Sequence, residues 1–333
     1  MSEISNLLRE VFDRQIPIIG EEGQERLLKS KVAVVGLGGI GSPLSIYLAA
    51  SGISLRLIDW DAVELSNLNR QVLYTRADLG RPKAFVAAER LKRLNPDVEV
   101  EVFYKPVTGW NALDAVRGVD LVLDAADNAA LREAINEACV KEGLPHTYAA
   151  VDRWFGAYSF FAEPGVDPCL RCIFPEGLRD QPVRVVGPVP AIVAAISATD
   201  AIKFLSGVGG VLREKLFMID LLDMSFEEIS LRRNPSCPVC AQRKFDRLAE
   251  ERTPVFSRGD SHFFFDVKVG VLQSLRRARQ LGWEALEANT NYARFRVEGS
   301  ALLIIYSGGG ALVKGAGLEK AREIVAQLES GEH

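Results

Sequence analysis

The chain has 333 residues, with 40 Lys or Arg against 44 Asp or Glu, so its formal net charge is −4. A hydrophobic content of 48% with 25% charged residues is typical of globular proteins and excludes disordered and collagen-like chains. The slightly acidic balance does not favour nucleic acid or an anionic membrane as a partner. At roughly 150 residues per domain, the length predicts about two domains.

Neither a secretory signal nor a membrane span is predicted. The first ten residues, MSEISNLLRE, include acidic residues and lack an apolar core, unlike a signal peptide. The longest uncharged run, Val32–Leu55, reaches transmembrane length, but its interior GLGGIGSP favours a strand, a turn and a helix. We therefore expect a cytoplasmic protein.

Strands and helices alternate in the first half of the chain. Helices of about a dozen residues between short apolar strands are typical of the α/β class, with a doubly wound, Rossmann-like, mostly parallel sheet. The predicted strands are Lys31–Val35, Ile53–Ile58, Val98–Phe103 and Val119–Asp124, and the predicted helices are Pro43–Ser51, Lys83–Leu94 and Leu131–Glu142.

The pattern changes after Ala149. Predicted strands Tyr158–Ala162 and Leu216–Asp220 flank an apolar segment, Val189–Leu205, that suits a buried helix, and Phe226–Leu231 completes a hairpin. A charged stretch, Arg243–Thr253, is predicted as a linker, which divides the chain into domains at 1–247 and 253–333. The second is predicted to be a small α+β domain of unassigned role, with strand, helix, three strands and helix at His262–Val269, Val271–Leu281, Tyr292–Glu298, Ala301–Tyr306, Ala311–Lys314 and Leu318–Leu328.

A glycine motif, GLGGIG, directly follows the first strand and opens the next helix. Its glycines, Gly36, Gly38, Gly39 and Gly41, allow a tight turn and a close approach to a phosphate at the helix N-terminus. Asp59 ends the second strand 18 residues later, where a carboxylate can bind ribose hydroxyls. The motif alone indicates a nucleotide and is typical of NAD-dependent oxidoreductases; a glycine turn without a ligand is the alternative.

The residues after Asp59 favour a triphosphate over a dinucleotide. Arg70 and Lys83 are suited to neutralising phosphates, and Asp127 follows the fourth predicted strand, where it could hold Mg²⁺. A surface ion-pair network of these three residues is the alternative interpretation. The NAD-dependent interpretation does not account for these three charged residues.

Four of the five cysteines form two CxxC pairs, Cys169 with Cys172 and Cys237 with Cys240. Four thiolates in two such turns predict a tetrahedral, structural zinc site that joins two distant segments. Paired redox motifs are the alternative, although neither has the expected strand–helix context. Cys139 is predicted to be a buried small hydrophobe. With three histidines in the chain, His-based catalysis is not favoured, and His146 is interpreted as a polar loop residue.

These motifs, in this order, resemble the HesA/MoeB/ThiF family, the bacterial relatives of ubiquitin-activating enzymes. The resemblance extends from about Asp13 to Cys240 and rests on the segments RQIPIIGEEGQERL, VAVVGLGGIG, LIDWDAVELSNLNRQ, GRPKA, LDAADN, CLRC and NPSCPVC. It implies ATP-dependent adenylation of the C-terminal glycine of a small ubiquitin-like sulfur carrier of the MoaD or ThiS type, ending in Gly-Gly.

The resemblance also implies residue roles. Asp59 would bind the ribose, Arg70 and Lys83 would hold the phosphates, and Asp127 would ligate Mg²⁺. Arg14 would reach into the site of a partner subunit, which implies a homodimer. The four cysteines match the family's zinc ligands. The full set of implied nucleotide-binding residues is Gly36, Gly38, Gly39, Gly41, Asp59, Asp61, Ser66, Asn67, Asn69, Arg70, Gln71, Lys83, Asp127 and Asn128.

Two departures from the family pattern bear on mechanism. The stretch Phe174–Pro190 has no cysteine, so we expect adenylation without a covalent carrier intermediate and with sulfur supplied in trans by an external donor. Residues 241–333 also lack a cysteine, which excludes a rhodanese there. The alternatives are adenylation of another carboxylate, either peptide or tRNA-linked, and a non-catalytic nucleotide-binding scaffold. The sequence does not identify the carrier or its pathway.

Overall fold

The computed structural model describes residues 6–180, 184–251, 253, 255–297 and 300–330. The chain divides into two compact units, Met1–Glu251 and Arg252–His333. Within the described residues, the strands of the first unit are β1 (Lys31–Val35), β2 (Ser54–Ile58), β3 (Val100–Phe103), β4 (Leu121–Asp124), β5 (His146–Asp152), β6 (Phe155–Phe161), β7 (Lys215–Asp220) and β8 (Ser225–Ser230). Its helices are α1 (Asn6–Val11), α2 (Ile16–Lys29), α3 (Gly41–Ala50), α4 (Lys83–Leu94), α5 (Ala112–Val116), α6 (Ala129–Glu142), α7 (Leu170–Ile173) and α8 (Pro188–Ser206).

One eight-stranded sheet organises the first unit, in the order β3-β2-β1-β4-β5-β6-β7-β8. The strands from β3 to β5 in this order pair in parallel, and those from β5 to β8 pair antiparallel. This confirms the predicted α/β class with a mostly parallel sheet. Because β1, β2 and β4 are parallel neighbours, the residues that follow them share one edge of the sheet.

Apolar side chains cover both faces of the parallel strands. In β1, Val32 and Val34 pack into the core on one face, whereas Ala33 and Val35 join a second core with residues of α5 and α6. A strand buried on both faces reads as a continuous apolar run, which is why KVAVV could be predicted as a strand.

Helix α8 is long and apolar enough to cross a membrane by length and composition. Half of it is buried, however, and it packs against α2, α3, β5 and β6. The predicted buried helix at Val189–Leu205 is therefore confirmed.

Strand β5 is not among the predicted strands, although the sequence places His146 near a strand start. Its first residue, His146, is buried, and its ring lies tilted at 48° against that of Phe161, with the centroids 4.8 Å apart; its interpretation as a polar loop residue is wrong. The reason is tertiary: β5 lies between β4 and β6, and pairing on both sides accommodates a segment with weak local strand character. Burial lowers the pKa of His146 to about 4.

The described elements of the second unit are β9 (Val255–Ser257), β10 (His262–Phe265), α9 (Val271–Leu281), β11 (Glu284–Ala288), β12 (Tyr292–Val297), β13 (Ala301–Tyr306), β14 (Ala311–Lys314) and α10 (Leu318–Glu329). The six described strands form an antiparallel sheet in the order β11-β12-β13-β14-β10-β9, with a core that includes Phe295, Leu303 and Ile324. Edge strands β9 and β11 were not predicted, and Glu298, at the end of a predicted strand, lies outside the described residues.

Candidate active site

The glycine loop lies between β1 and α3, and two of its glycines are required by the backbone. Gly36 has φ +86°, and a Cβ there would lie 2.7 Å from the carbonyl oxygen of Ala125. A Cβ on Gly41 would lie 1.8 Å from the oxygen of Gly36. Neither position therefore accepts a side chain, and the loop packs directly against the residues that follow β4.

Gly38 and Gly39 have different surroundings. A Cβ on Gly38 would meet only Gln71 Nε2 within 4 Å, at 3.8 Å, so this part of the loop borders open space. A Cβ on Gly39 would come within 3.1 Å of Pro190 and 3.5 Å of Arg70 Cδ. A ligand can approach the backbone most closely at Gly38.

Asp59 joins the end of β2 to the glycine loop. Its Oδ2 accepts a hydrogen bond from the backbone N–H of Leu37 at 2.8 Å, and its Oδ1 accepts one from Asp61 N at 2.8 Å. Burial raises the pKa of this carboxyl, against the opposing effect of Lys83. Each carboxylate oxygen retains a second lone pair, so the group can still accept a bond from a sugar hydroxyl.

Lys83, the first residue of α4, forms a buried ion pair with Asp61. Its Nζ lies 3.0 Å from Asp61 Oδ2, and the two side chains are 5% and 9% exposed. A second contact joins the same residues, because the Lys83 N–H donates to the carbonyl oxygen of Asp61 at 2.9 Å. The pair is internal, unlike the surface network considered as an alternative.

The segment between Asp59 and Lys83 contains a short 3₁₀ turn, Leu65–Asn67, which the side chain of Asn67 caps. Its Oδ1 accepts a bond from Glu64 N at 3.0 Å, which caps the turn. Arg70 folds back on the same segment, because its Nη1 donates to the Ser66 carbonyl oxygen and to Asn69 Oδ1, both at 2.9 Å. The aliphatic part of the Arg70 side chain lies beside the glycine loop, with Cδ 3.5 Å from a Cβ built on Gly39.

Gln71 is 3% exposed, and within the described part of the chain its Oε1 has no hydrogen-bond partner. Unpartnered buried acceptors are rare in folded proteins because they lose hydration without compensation. The atom belongs to the side chain nearest Gly38, where the loop is open. The glycine loop and Gln71 thus fit a polar ligand such as a nucleotide.

The loop after β4 contains Asp127 and Asn128. Asp127 is exposed, whereas Asn128 caps helix α6 by accepting the N–H of Leu131 at 2.8 Å. Asp124, the last residue of β4, is buried against Arg132, at 3.1 Å between Oδ2 and Nη1. Sequence analysis did not identify Arg132, because an arginine within a predicted helix carries no signal of its tertiary partners.

Arg14 stands apart from these residues in its own chain. Its side chain is fully exposed and forms a 3.8 Å ion pair with the adjacent Asp13. The predicted sites thus divide: the glycine loop, Asp59, Asp61, Lys83, Arg70 and Gln71 cluster, while Arg14 extends into solvent.

The four predicted zinc ligands lie together, with their sulfur atoms within 4.8 Å of one another. Cys169 and Cys237 are separated by 3.7 Å between sulfurs, and Cys172 and Cys240 by 3.5 Å. Tetrahedral Zn–S bonds of about 2.3 Å require S···S separations of about 3.8 Å. Cys172 also accepts the N–H of Asn234 at 3.4 Å. The cluster fits zinc, whereas Cys139 is buried elsewhere, as predicted.

A cavity of about 370 Å³ lies between α6, α7 and the chain around the second CxxC turn. Glu137 lines it, and its Oε2 accepts the backbone N–H groups of Arg247 (2.9 Å) and Leu248 (3.2 Å). Burial raises the pKa of Glu137 to about 7, with Asp246 adding to the rise and Arg247 opposing it. This carboxyl holds the end of the first unit against α6.

The chain is an α/β protein with a glycine loop at one sheet edge that fits a nucleotide, and with a four-cysteine cluster that fits zinc. Residues 12–239 match the ThiF family, and the chain belongs to this family. It is 42% identical over 243 residues to the "Sulfur carrier protein adenylyltransferase" of Thermus thermophilus, covering 70% of this chain and 90% of the relative. It is 39% identical to the "Sulfur carrier protein ThiS adenylyltransferase" of Escherichia coli, covering 71% of this chain and 96% of the relative.

Solved structures agree with this assignment. The E. coli MccB structure with ATP superposes with a TM-score of 0.62 at 27% identity, covering 69% of this chain and 74% of MccB. Another structure, of the "Microcin C7 biosynthetic enzyme MccB in complex with N-formylated MccA", gives a TM-score of 0.64 at 26% identity over 69% of this chain and 74% of MccB.

Proposed function

We propose that this chain adenylates the C-terminal glycine carboxylate of a small ubiquitin-like sulfur carrier, using ATP and releasing pyrophosphate. The observation that carries the proposal is the match to two sulfur carrier adenylyltransferases across about nine-tenths or more of their length. The open glycine loop beside the unpartnered Gln71 acceptor supports nucleotide binding at the same edge. The adenylation activity is assigned to residues 1–247, and a cytoplasmic location is part of the proposal.

The reaction requires positioning and charge neutralisation more than proton transfer. The carrier carboxylate attacks the α-phosphate in line with the departing pyrophosphate, so no side-chain base is needed. Arg70 and Lys83 would neutralise phosphate charge, and Asp59 would accept the ribose hydroxyls. Asp127, an exposed carboxylate at the same sheet edge, would hold the Mg²⁺ that screens the phosphates.

The remaining groups complete the proposal. The cysteine cluster would hold structural zinc, with no open position for catalysis. The exposed Arg14 side chain would enter the site of a second copy in a homodimer. Because Phe174–Pro190 lacks cysteine, the carrier would leave as a free acyl-adenylate, with sulfur coming from an external donor. Residues 181–183 of this stretch lie outside the described residues.

A second candidate is adenylation of another carboxylate, which the similarity to the microcin C7 enzyme MccB favours. Both candidates predict ATP–pyrophosphate exchange, so dependence on the carrier distinguishes them. The test measures exchange with a Gly-Gly-ended carrier of the ThiS or MoaD type, and with the same carrier lacking its last glycine. We expect exchange only with the intact carrier, and a loss of at least about 100-fold in Asp127→Ala.

Two outcomes would contradict the proposal. Equal exchange with the truncated carrier would show that its C-terminal carboxylate is not the substrate. Near-normal exchange by Asp127→Ala would remove that residue from the metal site. Since Asp127 is exposed, its substitution should leave unfolding unchanged, and a melting curve serves as the control.

A further inference from the structure

Arg132 is buried beneath the candidate site and bonds to three separate segments. It lies in the first turns of α6 and is 8% exposed. Its guanidinium donates to Asp124 Oδ2 (3.1 Å), to the carbonyl oxygen of Ala126, and to the carbonyl oxygen of Ala149 (2.8 Å). It also lies 5.0 Å from the ring centroid of Tyr148. These bonds join the end of β4 and the middle of β5 to the loop between β4 and α6.

The peptide groups of this loop are held from both sides. Asp124 Oδ1 accepts the N–H of Ala126 at 2.9 Å, while Arg132 binds the carbonyl oxygen of the same residue. The next residue is Asp127. The preceding carbonyl, of Ala125, packs against Gly36. The position of this loop therefore sets both the packing of the glycine turn and the place of the Asp127 carboxylate.

We propose that Arg132 is a positioning residue for Asp127: it holds the Ala126 peptide and thereby directs the Asp127 carboxylate toward the phosphate-bound metal. This inference rests on the proposed function. A planar guanidinium can bind a carboxylate and two carbonyl oxygens in different directions at once, which the single ammonium of lysine cannot reproduce. Loss of one of these bonds frees the loop while leaving Asp127 itself unchanged.

The test compares Arg132→Lys with a matched control, Arg56→Lys. Arg56, in β2, makes a similar set of bonds: it donates to the carbonyl oxygens of Ala115 (3.1 Å) and Arg117 (2.6 Å) and forms an ion pair with Glu101 at 3.0 Å. We expect Arg132→Lys to lower the kcat of ATP–pyrophosphate exchange about 10- to 100-fold with the KM for ATP within about twofold. Arg56→Lys should change both constants less than about twofold.

A double-substitution cycle with Asp127→Asn separates positioning from general damage. If Arg132 acts through Asp127, then Arg132→Lys should reduce the exchange rate less than about threefold in the Asp127→Asn background. The same 10- to 100-fold loss in both backgrounds would overturn the proposal, because the effect would then be independent of the carboxylate.

Amide hydrogen exchange provides a readout that does not depend on activity. Arg132→Lys should speed exchange in residues 124–130 at least about tenfold, while Arg56→Lys leaves this segment as in the wild type. If wild-type protein showed no ATP–pyrophosphate exchange, the proposed function would fail, yet this measurement would still report whether Arg132 holds the loop. Unchanged protection in Arg132→Lys would overturn the inference.

Discussion

Substitution of Lys83 by Met tests two roles of this residue: the buried ion pair with Asp61, and the proposed contact with the phosphates of ATP. In the structure its ammonium is buried against Asp61 at 3.0 Å, with both side chains at least nine-tenths buried. Removing one partner of such a pair leaves a buried charge without compensation, which destabilises proteins by about 3–5 kcal/mol. Asp59 lies close enough for the Lys83 charge to oppose the rise in its pKa, so the loss affects two carboxyls.

Urea unfolding at pH 7 measures this effect directly. We expect Lys83→Met to lower the free energy of unfolding by about 3–5 kcal/mol. The double variant Lys83→Met, Asp61→Asn keeps an oxygen for the N–H of Ala62, which Asp61 Oδ1 accepts at 2.7 Å, and replaces the buried carboxylate by a neutral amide. Its stability should return to within about 1 kcal/mol of the wild type.

The activities of the two variants complete the test. Because the phosphate-binding role needs the ammonium itself, ATP–pyrophosphate exchange should be lost in both, whatever their stability. Recovery of exchange in the double variant would refute the assignment of Lys83 to the phosphates. If the free energy of unfolding of Lys83→Met lay within about 1 kcal/mol of the wild-type value, the energetic argument for the buried pair would be refuted.

Two further predictions follow from groups outside the glycine loop. Cys172→Ser should abolish the bound zinc measured by mass spectrometry and lower Tm by about 10 °C, whereas Cys139→Ala should retain the metal. Glu137→Gln should remove one pH-dependent contribution to the stability of the fold. The pKa of Glu137 is about 7 in the folded state against 4.5 for an ordinary glutamate, so the folded state binds this proton more tightly. The contribution of Glu137 to stability therefore declines as pH rises from about 4.5 to 7. Tm of the wild type minus that of Glu137→Gln should therefore fall across this range, and a constant difference would contradict it; His146 titrates in both proteins and cancels.

Local sequence patterns predicted the parts of the site whose geometry is local. The glycine turn could be predicted because Gly36 needs a positive φ and Gly41 cannot bear a Cβ, and only glycine meets both conditions. The four-cysteine cluster could be predicted in part, because the two-residue spacing brings the two sulfurs of each CxxC turn close together.

Other side chains have structural roles that their neighbours in the sequence do not predict. Asn67 and Asn128, implied as nucleotide contacts, cap a 3₁₀ turn and α6 in this structure. Lys83 has an internal partner, Asp61, that lies 22 residues away along the chain. Capping and ion pairing depend on which backbone groups a fold leaves unpaired, and this is not encoded in spacing.

The α/β class, the strand–glycine–helix unit and the two CxxC turns could be predicted from the sequence, because each depends on residues that are neighbours in the chain. The burial of His146 in a central strand, and the bonds from Arg132 to the end of β4, the middle of β5 and the loop before Asp127, could be seen only in the tertiary structure. The physical reason is that burial and long-range hydrogen bonds are set by the packing of distant segments.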